Sequence, residues 1–371
     1  MAWNIWGHSL PEMETWITSH GFPKFRAKQL QDYLYRRYIF SFDDMTQLPG
    51  PMREWLKENA VLEKPVIMSH ITSNDGDTTK LLVKLSDGSL VETVCMHHVY
   101  GNSICVSTQV GCAMGCIFCA STRNGLERNL TAGEILAQVY AFRELFDAPI
   151  HSIVLMGAGE PLTNYDEVLR FIRLVSDPGL LNISLRNITL STCGIVPMID
   201  RLAAEGLPIT LAISLHAPND TIRNRILPSS RHFKIEDVVA AAHRYFKKTG
   251  RRVTFEYILI KDVNASRENA EELCRLVGKM NCHFNLIPIN GTEHIKLYPP
   301  SWKDVKIFQE ILEKHGKSTT VRRQMGDEIQ AACGQLKRRY LEKKWLVTGS
   351  QGLGDLSDWG TRRHQALLKD T

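Results

Sequence analysis

The alternation of apolar and polar positions along the chain changes rhythm twice. Residues 1 to about 62 show helical spacing in three stretches, "METWITSHG", "PKFRAKQLQDYLYRRY" and "SFDDMTQLPGPMREWLKENA". In the second stretch Leu30, Leu34 and Tyr38 recur every fourth position and line one helical face, while Lys24, Arg26, Lys28, Arg36 and Arg37 lie mostly elsewhere. The pattern predicts a small helical accessory domain over 1–62, whose basic positions are either a solvated face or a contact for nucleic acid. From about 65 the period shortens to two. "KLLVKLSDGSLVETVCM" holds two alternating runs around Asp87-Gly88, a hairpin signal, and predicts a short β extension over 63–102. Glu92 falls among apolar neighbours in its second strand, where a glutamate most often faces solvent.

After residue 103 apolar strand candidates alternate with helical stretches. The strands are "SICVSTQV", "SIVLMG", "NITLST", "ITLAISL", "VTFEYILI" and "HFNLIPI"; between them come stretches such as "TAGEILAQVYAFRELF" and "KIEDVVAAAHRYFKKTG". This order argues for an α/β fold with a parallel sheet and crossover helices, and no Gly-x-Gly-x-x-Gly follows the first strand to suggest a dinucleotide site. Six units are too few for an eight-stranded barrel. An open, partial (β/α)6 barrel over 103–320 is expected, with its chemistry at the carboxyl ends of the strands. A carboxyl-terminal segment, 321–345, and a tail, 346–371, follow; the tail carries no motif to which a role can be given.

Composition narrows the class only a little. The 371 residues are 43% hydrophobic and 23% charged, ordinary values for a globular chain, and a formal net charge of +5 permits a nucleic-acid partner without requiring one. The start "MAWNIWGHSLPEMETW" lacks the layout of a secretory leader and no apolar run reaches membrane-spanning length, so a cytoplasmic location without membrane contact is expected. In that reducing setting the nine cysteines are expected to bind metal or take part in transient redox chemistry rather than to staple the fold.

Four of those cysteines lie in "CVSTQVGCAMGCIFCAS", residues 105–121. Cys112, Cys116 and Cys119 form C-x3-C-x2-C directly after the first barrel strand. Three thiolates can hold three corners of a [4Fe-4S] cube and leave the fourth iron open to a ligand that is not protein. The alternative, structural zinc, usually needs four closed ligands, and no fourth Cys or His stands at convenient spacing downstream. By residue type alone Cys105 reads as a buried strand cysteine, and Cys95, Cys193, Cys274 and Cys282 as core residues.

The cysteine spacing, with Phe118 just before the last thiol, resembles the signature of the radical S-adenosylmethionine (SAM) superfamily, whose fold is a partial (β/α)6 barrel. "MGAGEPLTNY", "STCGIVPMIDRLA", "LAISLHAPND", "LIPIN" and "RRQMGDEIQAACGQL" resemble successive blocks of the RlmN/Cfr family of radical SAM RNA methyltransferases, and "FRAKQL" and "DDMTQLP" resemble its amino-terminal domain. The resemblance implies one [4Fe-4S] cluster and two SAM molecules per turnover; an electron donor such as flavodoxin and a monomeric state are expected. The resemblance further implies that Cys112, Cys116 and Cys119 hold the cluster, that Cys333 carries the methyl group, that Cys105 resolves a covalent enzyme–RNA adduct through a transient disulfide, and that Glu92 accepts the proton. Gly159, Glu160, Ser191, Ser214, Leu215, His216 and Asn290 match the positions that hold SAM. "GEPLTN" favours the branch that methylates C2 of an adenosine in 23S ribosomal RNA, with tRNA as a further substrate, over the C8-directed Cfr branch, which tends to carry Ala where Pro161 stands. A non-catalytic RNA-binding relative and a radical SAM enzyme acting on a small molecule are the other readings. The chain departs from the family's pattern at "RILPSSRHFKIED", around Ser229 and Ser230, and at "STCG".

Overall fold

The computed structural model describes residues 3–62, 64–290 and 297–322, together with Ile329 and Ala331. Cys333, the basic run 337–344 and the tail 346–371 lie outside the described residues.

The accessory region consists of α1 (Leu10–Ser19), α2 (Phe25–Gln31) and α3 (Gly50–Asn59), and a two-residue parallel pair, β1 (Trp3–Asn4) with β2 (Ala60–Val61), brings its two ends together. Sequence spacing predicts one helix reaching Tyr38. Instead α2 stops at Gln31, a π-helical turn spans Asp32–Arg36, and Tyr38 adopts φ 60°. Tyr33, Leu34 and Tyr35 are all buried, and three consecutive positions cannot share one face of a 3.6-residue helix. Arg36 and Arg37 remain exposed, and Arg37 pairs with Asp32 at 2.7 Å.

Among the described residues the main sheet has ten strands. β3 (Val66–Thr72), β4 (Thr78–Lys84) and β5 (Leu90–His98) run antiparallel and join β6 (Gly101–Cys105). A separate antiparallel ribbon, β7 (Gln109–Gly111) with β8 (Leu126–Asn129), follows. β9 (Ile150–Leu155), β10 (Ile188–Thr192), β11 (Thr210–Ser214), β12 (Val253–Leu259), β13 (Cys282–Pro288) and β14 (Ser318–Val321) then add in parallel beyond β6, giving the order β14-β13-β12-β11-β10-β9-β6-β5-β4-β3. The six expected strands are therefore joined by a seventh, β14, whose sequence "STTV" carries no apolar run to read.

The crossovers are α4 (Ala132–Phe146), α5 (Tyr165–Ser176), α6 (Val196–Ala204), α7 (Asp220–Ile226), α8 (Ile235–Thr249), α9 (Arg267–Val277) and α10 (Trp302–Lys314). α8 buries one stripe, Ile235, Val238, Ala241, Ala242 and Tyr245, whereas α4 is buried almost all round, and burial of each large apolar side chain contributes about 1.5–3 kcal/mol. The accessory region docks on α4. Tyr140 Oη donates to the Tyr35 carbonyl at 2.8 Å and Trp6 Nε1 to the Gly133 carbonyl at 2.9 Å. Gly7, at φ 86°, comes so near that a Cβ there would stand 2.5 Å from Gly133 Cα, so only glycine fits. No helix among the described residues is long and apolar enough to cross a membrane.

Candidate active site

The loop that follows β7 is pinned at its base. Cys112 N donates to the Gly125 carbonyl at 3.0 Å, and a Cβ on Gly111 (φ 76°) would stand 2.1 Å from that same oxygen. Inside the loop Cys119 N donates to the Cys116 carbonyl and Ile117 N to the Ile226 carbonyl, each at 3.0 Å. These bonds turn Cys112, Cys116 and Cys119 into one open cleft at the carboxyl ends of the parallel strands. Burial pushes the Cys112 thiol up to about 11 and holds Cys116 well above the usual thiol range, and in both the neighbouring thiols add to the shift. A cationic group among them reverses that cost by binding the thiolates. Among the described residues no three His, Cys, Asp or Glu side chains converge on the position of a single ion. Three thiols lining one cleft suit the three protein-held iron corners of a cluster.

The opposite wall comes from the strand ends. Glu160 is 3% exposed; Oε1 accepts from Leu162 N at 3.0 Å and Oε2 from Cys193 N at 2.7 Å. Its own N donates to Gln109 Oε1 at 2.9 Å, which ties it to the base of the cysteine loop. Burial raises its carboxyl above the ordinary range, against the pull of those hydrogen bonds. Gly159, at φ 113°, passes so close to Gln109 and Thr108 that a Cβ would meet Thr108 Oγ1 at 2.7 Å. Ser191, Ser214, His216 and Asn290 also line the cleft. Leu215 does not; it is buried beneath, and its N and that of His216 both donate to the Glu256 carbonyl. His216 adopts φ 59°, and its Nδ1 accepts from Ile258 N at 3.1 Å, which leaves the ring proton on Nε2. Burial, helped by Arg223, lowers His216 to about 3, so the ring is neutral.

Glu92 and Cys105 lie apart from the cleft lining. Glu92 does not face solvent as most such glutamates would: it is 5% exposed, and Lys80 Nζ stands 3.4 Å from its Oε1. Cys105 is buried with Val94 and Ala331, and Met156, which packs on that group, also lines the cleft. Cys333 lies outside the described residues, two positions beyond Ala331.

Cys95, Cys274 and Cys282 are buried as expected, but Cys193 corrects the core reading: it is half-buried and lines the cleft. Sequence reasoning also passed over Glu256, Arg322 and Arg223. Glu256, a carboxylate within the apolar run "VTFEYILI", was the readable signal; it lines the cleft and accepts from Asn285 Nδ2 at 2.8 Å. Arg223 is fully buried and donates to the carbonyls of Cys193, Leu215 and Ser214 at 2.5, 3.2 and 3.4 Å. It clamps two backbone segments of the cleft wall together, the turn after β10 and the end of β11.

Comparison with known proteins agrees with this geometry. Residues 106–276 match the Radical SAM superfamily, and residues 3–62 match the family described as Ribosomal RNA large subunit methyltransferase N-terminal domain. The chain is 49% identical over 339 residues to "Probable dual-specificity RNA methyltransferase RlmN" of Clostridium novyi (strain NT), covering 91% of this chain and 98% of that protein. The protein of the same name from Symbiobacterium thermophilum is 51% identical over 340 residues, 91% of this chain and 92% of its own. The crystal structure of a radical SAM methyltransferase from Sphaerobacter thermophilus superposes with a TM-score of 0.86 at 43% identity, over 90% of this chain and 99% of that one.

Proposed function

Because the chain belongs to the RlmN family of radical SAM RNA methyltransferases, we propose that it methylates C2 of an adenosine in 23S ribosomal RNA and in tRNA. One [4Fe-4S] cluster and SAM, two molecules per turnover, are the cofactors. The observation that carries the reading is the convergence of Cys112, Cys116 and Cys119 with Glu160, Ser191, Ser214, His216 and Asn290 on one cleft.

An adenine C–H is not a nucleophile, so polar transfer of a methyl group from SAM does not reach it. When bound, the cluster supplies the electron that cleaves SAM and yields a carbon radical able to take hydrogen from a methyl group. Cys112, Cys116 and Cys119 hold the cluster. Glu160 retains lone pairs beyond its two backbone partners and accepts from the SAM ammonium. Ser191, Ser214 and Asn290 take the ribose and carboxylate, the neutral His216 offers its Nε2–H, and Leu215 supports them from below. Cys333 carries the methyl group as a thioether; after hydrogen loss its methylene carbon bonds to the adenine C2, so its sulfur links the enzyme to the substrate carbon, and the one unpaired electron left on the ring passes back to the electron carrier that supplied it. Glu92 removes the C2 proton. The Cys105 thiolate attacks the Cys333 sulfur; the S–C bond breaks with its electron pair on carbon, carbon takes a proton, and a disulfide is left for an external thiol to reduce.

In this reading the chain is organised as the accessory region 1–62, the β extension 63–102, the barrel 103–320 and the segment 321–345 with the methyl carrier. Arg36, Lys28 and the run 337–344 meet RNA phosphates, which position the RNA without reading its sequence. A flavodoxin-class electron donor, a monomeric enzyme and a cytoplasmic location complete the account. Nucleoside mass spectrometry of rRNA and tRNA from a strain lacking the gene tests it: 2-methyladenosine should disappear and return on complementation. Loss of 8-methyladenosine instead would move the chain to the C8-directed branch, and no change in either nucleoside would refute the assignment.

A further inference from the structure

Glu92 shares its sheet face with a second buried charge. Lys80 is 3% exposed, and its Nζ stands 3.4 Å from Glu92 Oε1. In the β4–β5 ladder Leu82 lies opposite Glu92 and Lys80 opposite Val94, which makes Lys80 and Glu92 diagonal neighbours on one face. Val94 in turn lies opposite Cys105 on β6. Ammonium, carboxylate and thiol therefore share one face of three adjacent strands. Ala331 packs against Val94 and Cys105, with Met96, Val154 and Met156 around them.

A buried pair of charges is costly to desolvate, and replacing such pairs by apolar residues of similar volume is often neutral or stabilising. A buried ion pair is therefore weak grounds for a stabilising role. Reactivity gives it a role, since a buried carboxylate without a counter-charge holds a proton at neutral pH and cannot accept another. We propose that Lys80 is a positioning residue for the methyl-transfer reaction, holding Glu92 ionised and aimed at the proton it must remove from the enzyme–RNA adduct. The proposal rests on the reading of Glu92 as the base. In the step the C2–H bond breaks, an O–H bond forms on Glu92, and the bonding pair stays on the adenine ring, so one negative charge passes from carboxylate to ring. Lys80 is then the lone charge of the pair, which drives the proton on to solvent and resets the base for the next turnover.

The test uses the full-length holoenzyme, reconstituted anaerobically, with a 23S rRNA transcript. Three products are followed: 2-methyladenosine, 5′-deoxyadenosine and the covalent protein–RNA species, with Cys105→Ala as the reference for a trapped adduct. Lys80→Met should lower methylation roughly 10²-fold, the scale of a lost general base, while first-turnover 5′-deoxyadenosine stays unchanged and the adduct accumulates. Lys80→Arg, which keeps the charge, should recover turnover. If Lys80→Met fails to fold, Lys80→Gln carries the same expectation, because it keeps a polar side chain at that position without the charge. Wild-type turnover in the uncharged variant, beside a trapped adduct in Glu92→Gln, would overturn the role of Lys80 and leave that of Glu92 standing. Free turnover in Glu92→Gln would overturn the base itself. Parallel loss of 5′-deoxyadenosine and adduct in the uncharged variant, with no recovery in Lys80→Arg, would reduce Lys80 to a structural part and refute the proposal.

Discussion

Replacement of Glu160 by glutamine changes one atom in the cleft wall and has a calculable effect. The two carboxylate oxygens accept separate backbone hydrogen bonds, from Leu162 N at 3.0 Å and Cys193 N at 2.7 Å. A carboxamide has one acceptor oxygen, so in either orientation its NH2 faces a backbone N–H. One hydrogen bond to a charged group is lost, at about 1.5–3 kcal/mol of folding stability. The SAM ammonium loses an ionic acceptor of the same kind, and at ~1.4 kcal/mol per tenfold that weakens SAM binding roughly 10- to 150-fold. Calorimetric titration of SAM into the cluster-loaded variant under anaerobic conditions reads the second effect, and thermal melting of the same sample reads the first. Iron content should stay at the wild-type level, because Glu160 is not a cluster ligand in this account. Wild-type SAM affinity in a variant with full iron content would refute the reasoning.

The remaining predictions address the thiols and the cleft floor. Alanine at Cys112, Cys116 or Cys119 should remove the iron and all turnover, since two thiolates hold a cube poorly; iron analysis near the wild-type level in any one of them would count against the assignment. Cys333→Ala should form no RNA adduct, whereas Cys105→Ala should form one and stall, a contrast that denaturing gels resolve; identical behaviour of the two would contradict the division of roles. Glu256 carries a pH signature. Burial raises its carboxyl above the ordinary 4.5, with Arg322 and Asn285 opposing the shift. In that window the native state keeps a proton that the unfolded chain has released, so stability falls as pH rises from 4.5 through the raised value. Glu256→Gln still offers an oxygen to Asn285 and removes this loss, so its melting-temperature advantage over wild type should grow as pH rises through that window. An advantage independent of pH would show that Glu256 does not titrate there.

Local pattern carried most of the scaffold. Apolar runs marked six of the parallel strands, and helical stripes such as that of α8 survive as buried faces. The cysteine loop was placed correctly after β6 because spacing and strand order are both one-dimensional properties. What escaped depends on neighbours distant in sequence. β14 is a polar edge strand that pairs only once β13 is in place. The π-helical turn at Asp32–Arg36 answers to Tyr33, Leu34 and Tyr35 all being buried, with Tyr140 bonded to Tyr35 from 105 residues away. β4 is buried on both faces over most of its length, so the alternation that would have put Lys80 in solvent does not apply. Cys193 reached the cleft because the turn after β10 is held by Glu160 and Arg223, neither of which is near it in sequence.

The central claim is that the methyl group travels through Cys333 and loses a hydrogen on the way. SAM carrying a fully deuterated methyl group tests it directly, with the enzyme run through many turnovers so that the carrier is labelled. The account predicts a 2-methyladenosine whose new methyl group holds two deuterium atoms and one hydrogen, together with 5′-deoxyadenosine that has gained one deuterium. Transfer of the intact trideuterated methyl group, with unlabelled 5′-deoxyadenosine, would contradict it.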